Sequence, residues 1–188
     1  MSLDAYDVPF NAIEGRIMQW VAEALDLRYG AAEDPEGAIV LPGYEVTDQN
    51  TYANLLARTR IRLDRVSELR DKATQARGRA VRAQKAAEFD AQQAFDEAMQ
   101  RRGATRTVAF ATAAEKNADA ALDSFEQKRL AHQAERLVSV TTEAKTLIDN
   151  AYWGLSSIRE ELLSFYKGIQ FVTHGIEVTS EHFPSQTR

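Results

Sequence analysis

Ten basic side chains fall within the 28 residues from 58 to 85: Arg58, Arg60, Arg62, Arg65, Arg70, Lys72, Arg77, Arg79, Arg82 and Lys85. They face only Asp64, Glu68 and Asp71 in the same stretch. Residues 1–57 hold 2 bases and 10 acids, and residues 86–188 hold 11 bases and 15 acids, so a net charge of −5 conceals a local balance of +7. Acids at i±4 are too few to neutralise the block. Eight of the ten bases are Arg, whose planar fork grips phosphate through two parallel hydrogen bonds. The block reads either as a solvated helix face or as a polyanion-binding surface. Carboxylates of the same chain tying up these guanidinium groups would leave a plain helical building block.

Other reactive groupings are sparse. Cysteine is absent, which excludes disulfides, zinc fingers, iron–sulfur sites and thiol nucleophiles, and fits a reducing, cytoplasmic compartment. His132, His174 and His182 are scattered, with no HExxH and no Glu-x-x-His step. Glu160 and Glu161 are adjacent, so on a helix they point about 100° apart and make a poor acid/base dyad. There is no Gly-rich phosphate loop and no GxSxG. No enzyme activity, metal or cofactor is expected. No apolar run reaches about 18 residues, so no membrane span is expected, and the acidic opening MSLDAYDVPF does not read as a secretory signal.

The elements that must carry the basic block are helical. With 44% hydrophobic residues, 27% charged residues, 9 Gly and 4 Pro, the chain should form a folded all-α domain. Residues 1–9 read as an arm. A first helix should be capped by Asn11, with Glu14 completing a capping box. Its apolar face is Ile13, Ile17, Trp20, Val21, Ala24 and Leu25, and it should end near Gly30. Residues 30–47 read as a loop with a short extended piece at Ala38–Leu41. A second helix, capped by Thr47 or Asp48, should extend to Arg102, about 80 Å by helical rise. Its seam follows steps of three and four: Tyr52, Leu56, Thr59, Leu63, Val66, Leu69, Ala73, Ala76, Ala80, Ala83, Ala87, Ala91, Ala94 and Ala98.

Gly103 is the expected stop. A third helix from Thr105 or Arg106 should carry the returning seam: Val108, Ala111, Ala114, Ala118, Leu122, Phe125 and, after a slip, Leu130, Ala134, Leu137, Val140, Ala144, Leu147 and Ala151. A fold at Gly103 sets Ala98 beside Val108, Ala87 beside Ala118, Ala83 beside Leu122 and Leu69 beside Leu137. The Ala-rich tip half then buries little area and is the weakly held half, mobile or stabilised by other subunits. Trp153, Leu155, Ile158, Leu162, Phe165 and Ile169 mark one face of a last helix that should end near Gly175, and TSEHFPSQTR reads as an exposed terminus. The expected organisation is an acidic helix and loop (1–47), a long antiparallel helical hairpin (48–151) and a C-terminal helical segment (152–188).

Arg58, Arg65, Lys72 and Arg79 recur at intervals of seven, joined by Arg62 and Arg82, so they line one stripe away from the seam, with Arg70 and Arg77 to its side. Such a stripe matches a row of phosphates and reads no bases. The nearest rings, Tyr52 and Phe89, are assigned to the seam, so base stacking is not expected. An Ala seam without large residues after Leu69 argues against insertion into a membrane surface. The alternative partner for the stripe is an acidic protein bound by a structural coiled-coil virion, scaffold or adaptor component.

Tyr152-Trp153-Gly154 arrives on a long charged helix and is followed by a Leu/Ile-periodic helix, Lys167-Gly168 and a short apolar end with His174. This resembles the C-terminal part of the UvsY-type recombination mediators of T-even-like phages. The preceding order over residues 48–178 is also similar, with a helix from Tyr52-Ala53, an Arg/Lys-rich helix and an insertion-tolerant tip. The extra acidic N-terminal helix and the longer tip depart from that pattern. The resemblance implies a ring-like homo-oligomer in a bacterial host cytoplasm that binds single-stranded DNA. It would help a RecA-like recombinase displace the single-strand-binding protein. The stripe makes Arg58, Arg62, Arg65, Lys72, Arg77, Arg79, Arg82 and Lys85 the candidate nucleic-acid contacts, and the resemblance points to the Arg77–Lys85 stretch, with Arg79, Arg82 and Lys85 best placed. Tyr152, Trp153, Leu155, Ile158, Leu162 and Phe165 are the candidate oligomer interface. The acidic N-terminal region would compete for the stripe or contact the recombinase.

Overall fold

The structure is a computed structural model that describes residues 10–30, 49–104 and 113–181. The expected arm (1–9), the loop with its piece at Ala38–Leu41, the caps Thr47 and Asp48, the start at Thr105 or Arg106, and the end of the tail lie outside these residues. All described elements are helices: α1 (Phe10–Tyr29), α2 (Gln49–Ala104), α3 (Ala113–Asp123) and α4 (Phe125–Glu181). The chain divides into two compact units. The first comprises Met1–Gln19 and Lys72–Thr146, the second Trp20–Asp71 and Leu147–Arg188. Both α2 and α4 contribute to each.

Helix α1 begins at Phe10, so Asn11 lies inside its first turn rather than at the cap. Glu14, assigned to a capping box, instead accepts two hydrogen bonds from Arg136 of α4, at 3.1 and 3.2 Å. The helix closes at Gly30, whose φ of 84° is one that L side chains rarely adopt and whose N–H reaches back to Asp26 O at 2.8 Å. Ile17, Val21 and Ala24 are buried.

In the first unit, Arg77 of α2 meets Thr142 of α4, and Phe95 meets Lys128. In the second, Tyr52 meets Phe165, and Arg70 meets Asp149. Rising numbers on α2 pair with falling numbers on α4 in both, which is the antiparallel hairpin. The seam of α2 is where periodicity puts it, from Tyr52 through Leu69 to Ala98. The returning side of the seam is so only in part: Ala134, Leu137, Ala144 and Ala151 are buried as expected. Helix α2 includes Gly103, and Leu69, expected beside Leu137, immediately precedes Arg70, whose partner is Asp149.

Among the described residues, the buried positions after the turn are Ala120, Ser124, Ala134, Leu137, Thr141, Ala144, Ile148, Ala151, Leu155 and Leu162. Ala118, Leu122, Phe125, Leu130 and Leu147, expected in the seam, are exposed. Val108 and Ala111 lie outside the described residues. The reason is chemical as much as geometric. Ser124 and Thr141 pack in the seam because each hydroxyl donates to a carbonyl one turn back, Ala120 O at 2.9 Å and Leu137 O at 2.9 Å. A hydroxyl satisfied by its own helix costs little to bury and tends to bend the helix. The described break between α3 and α4 falls at Ser124, though Ser124 N–H to Ala120 O and Lys128 N–H to Ser124 O still cross it.

The C-terminal apolar segment is the last part of α4, which runs through Gly154, Gly168 and Gly175 to Glu181.

Candidate nucleic-acid interface

The basic block lies wholly on α2, and its members do two different jobs. In the second unit Arg62, Arg65 and Arg70 are fasteners, while Arg60 is exposed. Arg62 donates to Leu27 O at 3.1 Å, satisfying one of the last carbonyls of α1, which no intrahelical N–H reaches. Arg65 is held by Glu23 at 2.6 Å and Glu68 at 2.7 Å. Those hydrogen bonds, Glu23 first and then Glu68, raise its guanidinium above the usual arginine pKa. Arg70 donates to Asp149 at 2.6 Å, and its guanidinium lies over the rings of Tyr152 and Trp153 at 5.1 and 5.7 Å. Arg58 is exposed.

In the first unit the pattern changes. Residues 72–85 carry five cations and no acid. Arg77 donates to Thr142 Oγ1 at 3.2 Å, so it spends a donor on α4. Lys72, Arg79, Arg82 and Lys85 are exposed, and among the described residues none of the four has an ion pair. Of the eight candidate contacts, five are therefore exposed without a carboxylate among the described residues, Arg77 with a donor spent on Thr142 and the other four with none.

The rings separate as well. Tyr52 is 2% exposed and in the seam, as expected, whereas Phe89 is 68% exposed. Phe89 is therefore not a seam residue. It sits about 160° to 200° of turn away from the Ala73–Ala80–Ala87 line by the helical period, near Arg82 and Lys85.

The candidate oligomer residues also divide. Leu155 and Leu162 are fully buried within the chain. Phe165 packs on Tyr52, with ring centroids 6.1 Å apart, and Ile158 is half-buried. Tyr152 is half-buried edge-on to Trp153, which is 59% exposed. Gly154 has an internal role. A Cβ there would lie 2.5 Å from Arg28 Nε, and Arg28 uses this approach to donate to Asn150 O at 3.2 Å. Thus Tyr152, Trp153 and Gly154 receive two arginines, one from α1 and one from α2. Sequence reasoning had no view of these contacts, because Glu23, Leu27 and Asp149 lie far from their arginines along the chain.

Among the described residues no group of three or more acids and histidines is placed to hold a metal, and no helix is long and apolar enough to cross a membrane. His132 is exposed beside Glu135 at 3.2 Å. No family model, no curated protein and no solved structure matches the chain.

Proposed function

We propose that this chain is a non-enzymatic protein that binds single-stranded DNA without reading its sequence, and that copies of it act together as a recombination mediator. Its partners under this reading are a RecA-like recombinase and the single-strand-binding protein that the recombinase must displace, in the cytoplasm of a bacterial host. The observation that carries the reading is the acid-free run from Lys72 to Lys85, with Lys72, Arg79, Arg82 and Lys85 exposed and without ion pairs among the described residues. Lys and Arg so presented displace condensed counterions from any strand. Repetition in a homo-oligomer multiplies a weak affinity, provided one strand reaches several copies. The exposed ring of Trp153 is the part of the Tyr152–Phe165 segment left for a second copy.

The test is binding of the purified chain to an oligonucleotide at increasing salt. Replacing Arg79, Arg82 and Lys85 together by Ala should weaken binding about tenfold or more at low salt. It should also flatten the logarithmic salt dependence by about 2, at ~0.7 per phosphate on a single strand. Helicity should be unchanged. Salt-independent binding, or none at low salt, sinks the reading.

A second reading rests on Arg65 and Arg70, which are tied to carboxylates of the same chain. Under it the protein is a structural helical component whose remaining cations meet an acidic protein partner. Nucleic acid would then fail to compete with that partner.

A further inference from the structure

Gly78, Arg82, Lys85 and Phe89 stand at i, i+4, i+7 and i+11 on α2, which places them in one row along the helix, opposite the Ala seam. Arg82, Lys85 and Phe89 are exposed, Phe89 at 68%. A Cβ on Gly78 would meet nothing nearer than Arg82 Nη1 at 4.0 Å, so no packing within the chain requires glycine there. Glycine in a helix interior costs about 1 kcal/mol relative to alanine, and here it leaves bare backbone on the cationic face.

We propose that this row is a single-strand site in which Phe89 stacks on an unpaired base while Lys85 and Arg82 hold the adjoining phosphates. The proposal rests on the nucleic-acid reading above and adds the base to it. Three features favour a base over an apolar protein partner. A helix that docks through apolar anchors presents them at i, i+3 or i+4 and i+7. The neighbours of Phe89 at those steps are Lys85, Ala86, Gln92 and Gln93, so the ring stands alone. Lys85 lies about 6 Å and Arg82 about 10 Å from Phe89 along the helix axis by rise, the scale of a nucleotide and its neighbour. Acids resume only at Glu88 and Asp90, so the ring sits where the positive run ends and bounds it. A flat aromatic face takes any base, which keeps the site blind to sequence. It also favours single strands, since the bases of a duplex are already stacked.

The experiment compares three probes at low salt with the full chain: oligo-dT, an oligonucleotide of the same length with abasic sites throughout, and a duplex. Wild type should bind oligo-dT at least about fivefold more tightly than the abasic strand, the lower end for one stacked base. Phe89→Ala and Phe89→Leu should both lose that preference and keep wild-type affinity for the abasic strand, and Phe89→Trp should restore it. Equal affinity of wild type for oligo-dT and the abasic strand overturns the stacking proposal and leaves the phosphate-binding reading standing. Binding to neither strand overturns both. A Phe89→Ala variant that loses equal affinity on both strands assigns the ring a structural role and overturns the proposal. Because Phe89 is exposed and Ala is the better helix former, the variant should fold.

Discussion

The stretch of α2 within the second unit and the stretch within the first are one helix by backbone and two materials by side chain. The second unit buries Leu63, Val66 and Leu69 from α2 and Ile148, Leu155 and Leu162 from α4, and spends Arg62, Arg65 and Arg70 on its own helices. The first unit buries Ala73, Ala80, Ala87, Ala91 and Ala98 from α2, and presents Lys72, Arg79, Arg82 and Lys85 to solvent. Burying a Leu or Ile contributes ~1.5–3 kcal/mol, and each methylene removed forfeits ~0.8. The first unit also buries Gln127 Oε1 without a partner, a desolvation cost of about 1–3 kcal/mol. Three arginines are thus consumed beside the large side chains, and four cations stay available beside the small ones. The lesson is that a cationic run is a binding surface only where the fold has not already used it.

The largest effect that would test this contrast is in the two seams. Leu155→Ala should cost about 3 kcal/mol, the removal of a fully buried Leu side chain plus the cavity it leaves. Ala87→Gly should cost only ~1 kcal/mol, through helix propensity. Urea midpoints measure both. Hydrogen exchange should add that amides around Val66–Leu69 and Ile148–Leu162 open less often than those around Ala80–Ala98. Equal protection of the two stretches would break the comparison at its base.

Next in size is the ion pair. Asp149→Ala removes the carboxylate that the half-buried Arg70 guanidinium holds at 2.6 Å, and should lower stability by about 1–2 kcal/mol, since the pair is partly solvated. Its affinity for single-stranded DNA should stay within about twofold of wild type, in contrast to the tenfold or greater loss on removing Arg79, Arg82 and Lys85. If freeing Arg70 instead strengthens DNA binding several-fold, the block is one reservoir of charge rather than two.

How much of this was legible beforehand follows from the same contrast. The α2 seam could be read because its apolar steps of three and four run unbroken from Tyr52 to Ala98, while large off-seam residues such as Ile61 and Phe89 make no comparable series. The returning seam could be read only at Ala134, Leu137, Ala144 and Ala151, because Leu122, Phe125, Leu130 and Leu147 are large and exposed while Ser124 and Thr141 are polar and buried. Hydrophobicity alone gives the wrong face when a hydroxyl is satisfied by its own backbone. A Ser or Thr falling on the same three–four step as Ala120, Ala134 and Ala144 was the available signal. The basic block was legible as a block. Its division was not, because neutralisation was sought at i±4 on the same helix, whereas Glu23 and Asp149 come from α1 and α4.

The smallest expected effect tests whether Tyr152-Trp153-Gly154 is built for this chain's own arginines. Gly154→Ala places a methyl group 2.5 Å from Arg28 Nε, so the guanidinium must swing away and give up its bond to Asn150 O. That bond is exposed and contributes about 0.5–1 kcal/mol at most. Against it, alanine in a helix interior gains about 1 kcal/mol over glycine. The two nearly cancel, and the melting temperature of Gly154→Ala should stay close to wild type. The cancellation itself can be opened. In an Arg28→Ala background nothing remains for the methyl group to displace, so the same substitution should stabilise by the full ~1 kcal/mol. A Gly154→Ala gain that is identical in both backgrounds would mean that Arg28 does not lie over Gly154. The glycine would then be left for a second copy of the chain, as the proposed assembly would use it.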